Sequence, residues 1–465
     1  MKAVFVSLIA GATLGLSAPG LAAVTGTAGQ GLPFDNYQNY LGLTQLISLQ
    51  GIFPSRADTT DQNSAAQQTL AMLRTFSGNF ATDGGALTQG QILPISQNTA
   101  LFSLLGTTYG GNGQTTFALP DLRGRSIIGA GQGPGLSNRV LGEQAGASTV
   151  TLSIAQMPAH AHGINVPPGQ TGVTGGSQPF DNMQPSLAMT YMIATGGLFQ
   201  AGNAFIGEVS AFGGNFAPNG WLPADGRLVR IQDFDTLFNL IGTTYGGDGQ
   251  TTFALPDLRG RAIVGSGNGI VAGSVFGTES HALTLAEMPA HDHDGGAIQV
   301  DPAGGSQPFD NEQPSLALNY YIALQGIFPA RDGGFVDTTD PYLGEIVASA
   351  SDLAPQGYVP AAGQLLPINQ NQALFSILGT TFGGNGQTNF ALPDLRGRTI
   401  VDWGNGITYG ERGGHSVETL LASQLPIHDH TLPDARVPEP ATWAMMIAGF
   451  AMAGAGFRRR RRVFA

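Results

Sequence analysis

One run of nine residues occurs three times in this chain with almost no change. It reads Gly106-Thr107-Thr108-Tyr109-Gly110-Gly111-Asn112-Gly113-Gln114, and returns at Gly242 to Gln250 and Gly379 to Gln387. Each copy leads into Phe-Ala-Leu-Pro-Asp-Leu-Arg-Gly-Arg, ending at Arg125, Arg261 and Arg398, and successive copies lie 136 and 137 residues apart. Self-similarity at a fixed period means that one structural unit is repeated and that neighbouring units share a core. Two shorter motifs keep the same rhythm. His-x-His stands at His160/His162, His291/His293 and His428/His430, and Pro-Phe-Asp-Asn starts at Pro33, Pro179 and Pro308, each time followed by a strand-like apolar run.

The motifs are offset. Copies one and two read head, His-x-His, then the Pro-Phe-Asp-Asn tail. Copy three stops after His430, and a spare tail sits alone at residues 29–56. Unpaired strand edges are costly, so an orphan acceptor wants its strand. The expectation is that the spare tail completes the third unit. Donation within one chain closes the three units into a ring, whereas donation between chains gives oligomers or fibres.

Glycine is 69 of 465 residues, about twice ordinary usage, and has no collagen period. It clusters between apolar runs, which predicts a mainly β, loop-rich α+β fold with short helices. In the second unit the pattern predicts a strand over 207–216 and a second, interrupted strand over 221–228. A short helix follows, capped by Asp233, with Phe234, Leu237, Phe238 and Ile241 on its apolar face and Gly242 at its end. One helical turn is expected from Thr284 to Met288, stopped by Pro289.

The two ends carry addresses. Lys2, the apolar stretch Ala3 to Leu16 and the small residues Ser17 to Ala23 read as a signal peptide over 1–23. At the other end Val437-Pro438-Glu439-Pro440 precedes an apolar run at 441–457, long enough for a thin bilayer, and then Arg458 to Arg462. The arginines should stay cytoplasmic and hold the body outside. This tripartite tail, 437–462, resembles the PEP-CTERM sorting signal of Gram-negative bacteria. The resemblance implies an exosortase-type processing enzyme as partner, a membrane anchor before processing, and a final place at the cell surface or in the extracellular matrix.

Charge narrows the partners. Residues 24–440 hold 14 Arg and no Lys against 32 acids, a net of -18, and such a body repels nucleic acid. The chain has no Cys, which excludes disulfides, thiolate metal sites and a Cys nucleophile.

The His-x-His pairs are the strongest candidate site. Six of the eight histidines lie in them. Residues i and i+2 of an extended segment face one side, so both rings of a pair can reach one point. Imidazole nitrogen suits a divalent transition metal such as Zn or Fe, with Ni and Cu also open. Asp292, Asp294 and Asp429 are candidate acceptors behind the rings. The alternative is hydrogen-bonded histidines beside a proline turn.

Other motifs have plainer readings. The Gly110-Gly111-Asn112-Gly113-Gln114-Thr115 loop lacks the lysine of a phosphate-binding loop and reads as a tight turn. Asp121 with Arg123 and Arg125, and the equivalents at Asp257 and Asp394, reads as a turn locked by a charge pair, with a catalytic Asp as the alternative. No nucleophile elbow or zincin motif is present, so no catalytic residue is assigned. Trp221, Trp403 and Tyr245 suit core packing, with sugar stacking as the alternative.

The heads resemble the phage tail collar domain, and most closely the microcystin-dependent protein family. The resemblance rests on Gly207-Glu208-Val209, Phe216 to Trp221, Asp225-Gly226, Phe253 to Arg261, Met288 to His291 and Gln307 to Asn311. It implies units at 70–200, 207–331 and 344–432, with the first departing at its opening, where Gly-Glu and Trp are missing. In short-tail-fibre relatives, His-x-His motifs from three chains bind one metal on a three-fold axis. The resemblance therefore implies a trimer or a single-chain pseudo-trimer, with one metal held by His160, His162, His291, His293, His428 and His430. The function it favours is a non-enzymatic structural or adhesive protein whose partners are exopolysaccharide, surface glycan or further copies of itself. A component of a phage-derived or contractile particle and a carbohydrate-active enzyme with collar modules as scaffold are the alternatives.

Overall fold

The structure is a computed structural model, and it describes residues 24–54, 69–165, 169–196, 204–296, 298–329 and 340–432. The expected signal peptide at 1–23 and the apolar run at 441–457 lie outside the described residues. Among the described residues no helix is long and apolar enough to cross a membrane.

The main strands in chain order are β1 (Tyr40–Ser48), β2 (Leu73–Phe76), β3 (Ser126–Gly129), β4 (Ser186–Ala194), β5 (Glu208–Phe212), β6 (Ala262–Gly265), β7 (Ser315–Ala323), β8 (Glu345–Ser349) and β9 (Thr399–Asp402). The helices are α1 (Thr99–Leu105), α2 (Asp235–Ile241) and α3 (Gln372–Leu378). The fold is mainly β, as the repeats and glycine clusters imply.

The nine-residue strands β1, β4 and β7 are buried along almost their whole length. Strands covered on both faces read as near-continuous runs of apolar and small residues, and these do. The first half of each runs parallel to a short strand. Ser186 of β4 lies opposite Ser126 of β3, Ser315 of β7 opposite Ala262 of β6, and Tyr40 of β1 opposite Thr399 of β9. The second half runs antiparallel to the opening strand of the following unit, β4 to β5 and β7 to β8, while β1 runs antiparallel to β2. Each long strand thus stitches two units together, and β1 stitches the third to the first. Pairing of this leading segment begins ahead of residue 29, with bridges Val24–Thr431 and Ala28–His428.

The opening strands meet end to end around a pseudo-three-fold axis. Met72 lies opposite Phe212, Glu208 opposite Ser349, and Glu345 opposite Phe76. A cavity of about 80 Å³ remains here, lined by Ile127, Ile263 and Ile400 from the three units together with Arg74, Glu208 and Glu345. The first unit places Met72 where the others place Glu208 and Glu345, and its Arg74 forks onto Glu345 at 2.8 and 2.6 Å. Ala71 stands where the others have glycine and keeps the positive φ of that position, 67° against 91° at Gly207 and 84° at Gly344.

Each unit builds one core around its helix. Leu101 and Leu105, Leu237 and Ile241, and Leu374 and Leu378 are the buried i, i+4 pairs. Leu41 and Leu43 of β1 complete the third core beside Leu374, Leu378 and Phe390. Gly106, Gly242 and Gly379 end the helices at φ 56°, 54° and 55°, which glycine adopts without strain.

Three local expectations are corrected. Asp233 does not cap α2: it closes the preceding 3-10 turn Ile231–Asp233 and accepts a hydrogen bond from Arg230 at 2.8 Å, and the cap position is Phe234 with no side-chain bond. The opening strand stops at Phe212, because Gly213 and Gly214 turn the chain. The interrupted strand is two strands, Trp221–Pro223 and Leu228–Arg230, the second paired with Thr252–Ala254. The turn at Thr284 to Met288 forms as expected, with the Met288 N–H donating to Thr284 O at 3.1 Å.

Candidate metal centre

Each His-x-His pair lies on an extended segment that starts at a Met-Pro or Leu-Pro step. His160 bridges Thr174, His291 bridges Ala303, and His428 bridges Ala28 of the leading segment. Extended geometry turns both rings of a pair inward. All six histidines are buried, at 0 to 8% exposure. Met157, Met288 and Leu425, each 0% exposed, pack together beside the cluster.

The six imidazoles converge. The Nε2 atoms of His160 and His291 are 3.2 Å apart, those of His291 and His428 3.1 Å, those of His293 and His428 3.2 Å, and those of His430 and His160 3.2 Å. The ligand atoms of His160, His162, His291, His293 and His430 all lie within 4.8 Å of one another. The cluster can hold a metal ion.

The outer nitrogens fix the proton positions. Nδ1 of His160, His291 and His428 sits 2.9, 3.0 and 2.9 Å from the carbonyl oxygens of Pro158, Pro289 and Pro426. Nδ1 of His162, His293 and His430 sits 2.7, 2.7 and 2.8 Å from the carbonyl oxygens of Asp301, Gly26 and Gly172. A carbonyl can only accept, so every Nδ1 carries the proton and every Nε2 presents a lone pair. Lone pairs that face one another at 3.1 to 3.2 Å in four pairs cannot bond among themselves, and His162 Nε2 has no partner at all. An octahedron with edges of this length has centre-to-ligand distances of about 2.2 Å, which suits a six-coordinate first-row ion. Burial pushes His160 down to about 3 and His291 and His430 to about 4, and the neighbouring imidazoles add to it. His162 and His428 are lowered for the same main reason. Those five rings are therefore held in the neutral, ligating form.

The acceptors behind the rings differ from the aspartates expected there. Asp292, Asp294 and Asp429 alternate to the outer face of their segments. The Asp294 carboxylate accepts from the Gly296 N–H at 2.8 Å, and Asp429 uses its backbone carbonyl to accept from the Thr174 hydroxyl at 2.8 Å. Backbone carbonyls leave no sequence signal, apart from the proline two residues before the first histidine of each pair.

The charge-paired turn and the glycine-rich loop make local contacts within their units. Asp121 accepts from the Arg123 backbone N–H and from its Nε and Nη2 at 3.2, 2.9 and 2.8 Å, and Asp257 and Asp394 repeat the pattern. In the glycine-rich loop, Asn112 Oδ1 accepts from the N–H groups of Gln114, Thr115 and Thr116, which turns those donors away from any phosphate. Trp221 is 5% exposed in the first core, Tyr245 packs on the second with its hydroxyl on Ala350 O, and Trp403 Nε1 donates to Thr44 Oγ1.

Comparison with known families fits this anatomy. The family model of the phage tail collar domain matches residues 71–127, 207–263 and 344–400. The chain carries three phage tail collar domains. Each match begins at the opening strand and ends in the short parallel strand, so the histidine pairs and the long strands lie beyond it. The PEP-CTERM protein-sorting motif matches residues 436–462. No curated protein and no solved structure matches the chain. Collar domains together with a sorting motif support an exported surface or structural protein, and the motif implies processing by an exosortase.

Proposed function

We propose that this is a non-enzymatic structural or adhesive protein of the cell surface or extracellular matrix, in which one chain does the work of a collar trimer. Units 70–200, 207–331 and 344–432 are its three arms, and residues 29–56 supply the missing part of the third. The parallel pairing of β1 with β9 supports this assignment. His160, His162, His291, His293, His428 and His430 hold a single divalent transition metal, Zn or Fe being the first candidates. When bound, the ion cross-links all three arms at one point, and the chain's carbonyls fix the tautomer each ring needs. The observation that carries the reading is the convergence of six lone pairs in a buried site with every outer nitrogen already used. Exopolysaccharide or surface glycan and further copies of the chain are the partners this role requires.

The test is a metal analysis and a mass measurement on the purified exported body. One ion per chain in a monomer is the expected result. A metal-free protein whose stability is unmoved by substitution of the six histidines refutes the metal role, and a stable trimer in solution refutes the single-chain reading. Cell fractionation with and without residues 437–465 tests the sorting route, and turnover of a glycan would refute the non-enzymatic assignment.

A further inference from the structure

The Pro-Phe-Asp-Asn tails build a second axial layer with different chemistry. Phe34, Phe180 and Phe309 meet edge to face, with ring centroids 5.5, 5.7 and 5.6 Å apart, so they enclose the axis. Four residues on, Gln38, Gln184 and Gln313 come together again: the Gln38 N–H donates to Gln184 Oε1 at 3.1 Å, and the Ser186 hydroxyl donates to Gln313 Oε1 at 3.3 Å. Asn36, Asn182 and Asn311 lie midway between these two layers in sequence, each just past a two-residue strand. Each is 1% exposed.

The amide groups have fixed orientations. Asn36 Nδ2 donates to Ala147 O and Met183 O at 3.1 and 2.8 Å. Asn182 Nδ2 donates to Thr278 O and Glu312 O at 3.4 and 3.1 Å, and Asn311 Nδ2 to Tyr37 O and His415 O at 3.2 and 3.3 Å. An atom between two carbonyls must be the NH2, so the other atom is the oxygen. The bonds to Met183, Glu312 and Tyr37 run in a closed circle, each reaching the residue after the next asparagine. The three Oδ1 atoms are buried and have no donor. The adjacent carboxylates of Asp35, Asp181 and Asp310 are turned to the backbone N–H groups two residues on, at 3.0, 2.9 and 2.9 Å. Among the described residues, the amide donor left over in the neighbouring glutamine layer is Gln38 Nε2.

We propose that Asn36, Asn182 and Asn311 hold one alkali-metal cation on the axis through their Oδ1 atoms. A water there has two hydrogens for three acceptors, whereas a cation satisfies all three together. Carbonyl oxygens can take the place of the hydration shell of such an ion. Calcium and magnesium sites draw on carboxylates, and none belongs to this set. The hard, neutral oxygen ligands also separate this site from the imidazole cluster, so the two are loaded independently.

Crystals of the full exported body equilibrated in rubidium chloride test this directly. An anomalous peak among the three Oδ1 atoms is expected, and an ordered water without anomalous signal there overturns the proposal. In solution, sodium or potassium chloride should raise the thermal midpoint above that in N-methylglucamine chloride at equal ionic strength. Asn182→Ala should lose that difference, and a wild-type midpoint that is the same in all three salts overturns the proposal. If Asn182→Ala does not fold, the wild-type crystals and salt series decide alone.

Discussion

Leu41→Ala probes whether the leading segment is part of the third unit's core. Leu41 is 0% exposed and packs with Leu374, Leu378, Phe390 and Ile400, all more than three hundred residues away in sequence. Truncation removes the transfer free energy of the lost methyl groups and leaves a hole that rigid neighbours on two sheets and a helix fill poorly. The expected cost is about 3 kcal/mol, or roughly two powers of ten in the ratio of folded to unfolded protein. Leu187 and Leu316 occupy the same register in β4 and β7, at 1% exposure each. Their alanine variants should cost about as much. Urea unfolding gives the totals. Hydrogen exchange locates the loss, which should fall first on α3 and β9 in Leu41→Ala, on the first unit in Leu187→Ala and on the second in Leu316→Ala. If Leu41→Ala stays within about 0.5 kcal/mol of wild type while the other two lose the full amount, the leading strand does not complete that core and the ring argument fails.

Chelation, or the paired change His428→Ala with His430→Ala, should lower the thermal midpoint and abolish bound metal, read by calorimetry and elemental analysis. Arg74→Ala leaves Glu345 buried without its partner, at 7% side-chain exposure, and should cost about 3–5 kcal/mol. Adding Glu345→Gln to Arg74→Met should recover most of it in the same urea assay. Asp402 is held up at about 7 mainly by burial, although it accepts from the Gln45 N–H and the Thr88 hydroxyl. Its folded value lies above the unfolded one near 3.9, so the folded state binds more protons between them and its contribution to stability falls as pH rises from about 4 to 7. Asp402→Asn should remove that slope, seen as a difference between the two proteins' urea midpoints at pH 5 and pH 8.

The repeats, the histidine pairs and the glycine-terminated helices were legible because each is a periodic pattern in residue type. The permuted order of heads and tails was legible for the same reason. What the pattern missed involves backbone atoms or choices between equal neighbours. The carbonyls of Pro158, Asp301 and Gly26 that orient the rings carry no side-chain signature. Asp233 looked like a cap because it precedes an apolar period, but a nearby arginine and a 3-10 turn claim it. Phe34, Asn36 and Gln38 are all buried in the fold, yet a six-residue stretch is too short to announce an axis. Met72 and Arg74 break the repeat. Only the folded ring shows why, since a third glutamate at that corner would leave three acids with no cation between them.

The pairing of β1 with β9 sets an order on assembly. The first half of this early strand has its partner at the far end of the chain, so that half must wait, unsatisfied, while about 350 residues follow it, although the second half finds β2 nearby. Contacts of such long reach form late and slowly. Until then neither the last collar core nor the imidazole cluster exists, because both borrow from the leading segment. The body therefore locks only after its final arm has arrived, and the sorting tail emerges directly behind the residues that turn the key.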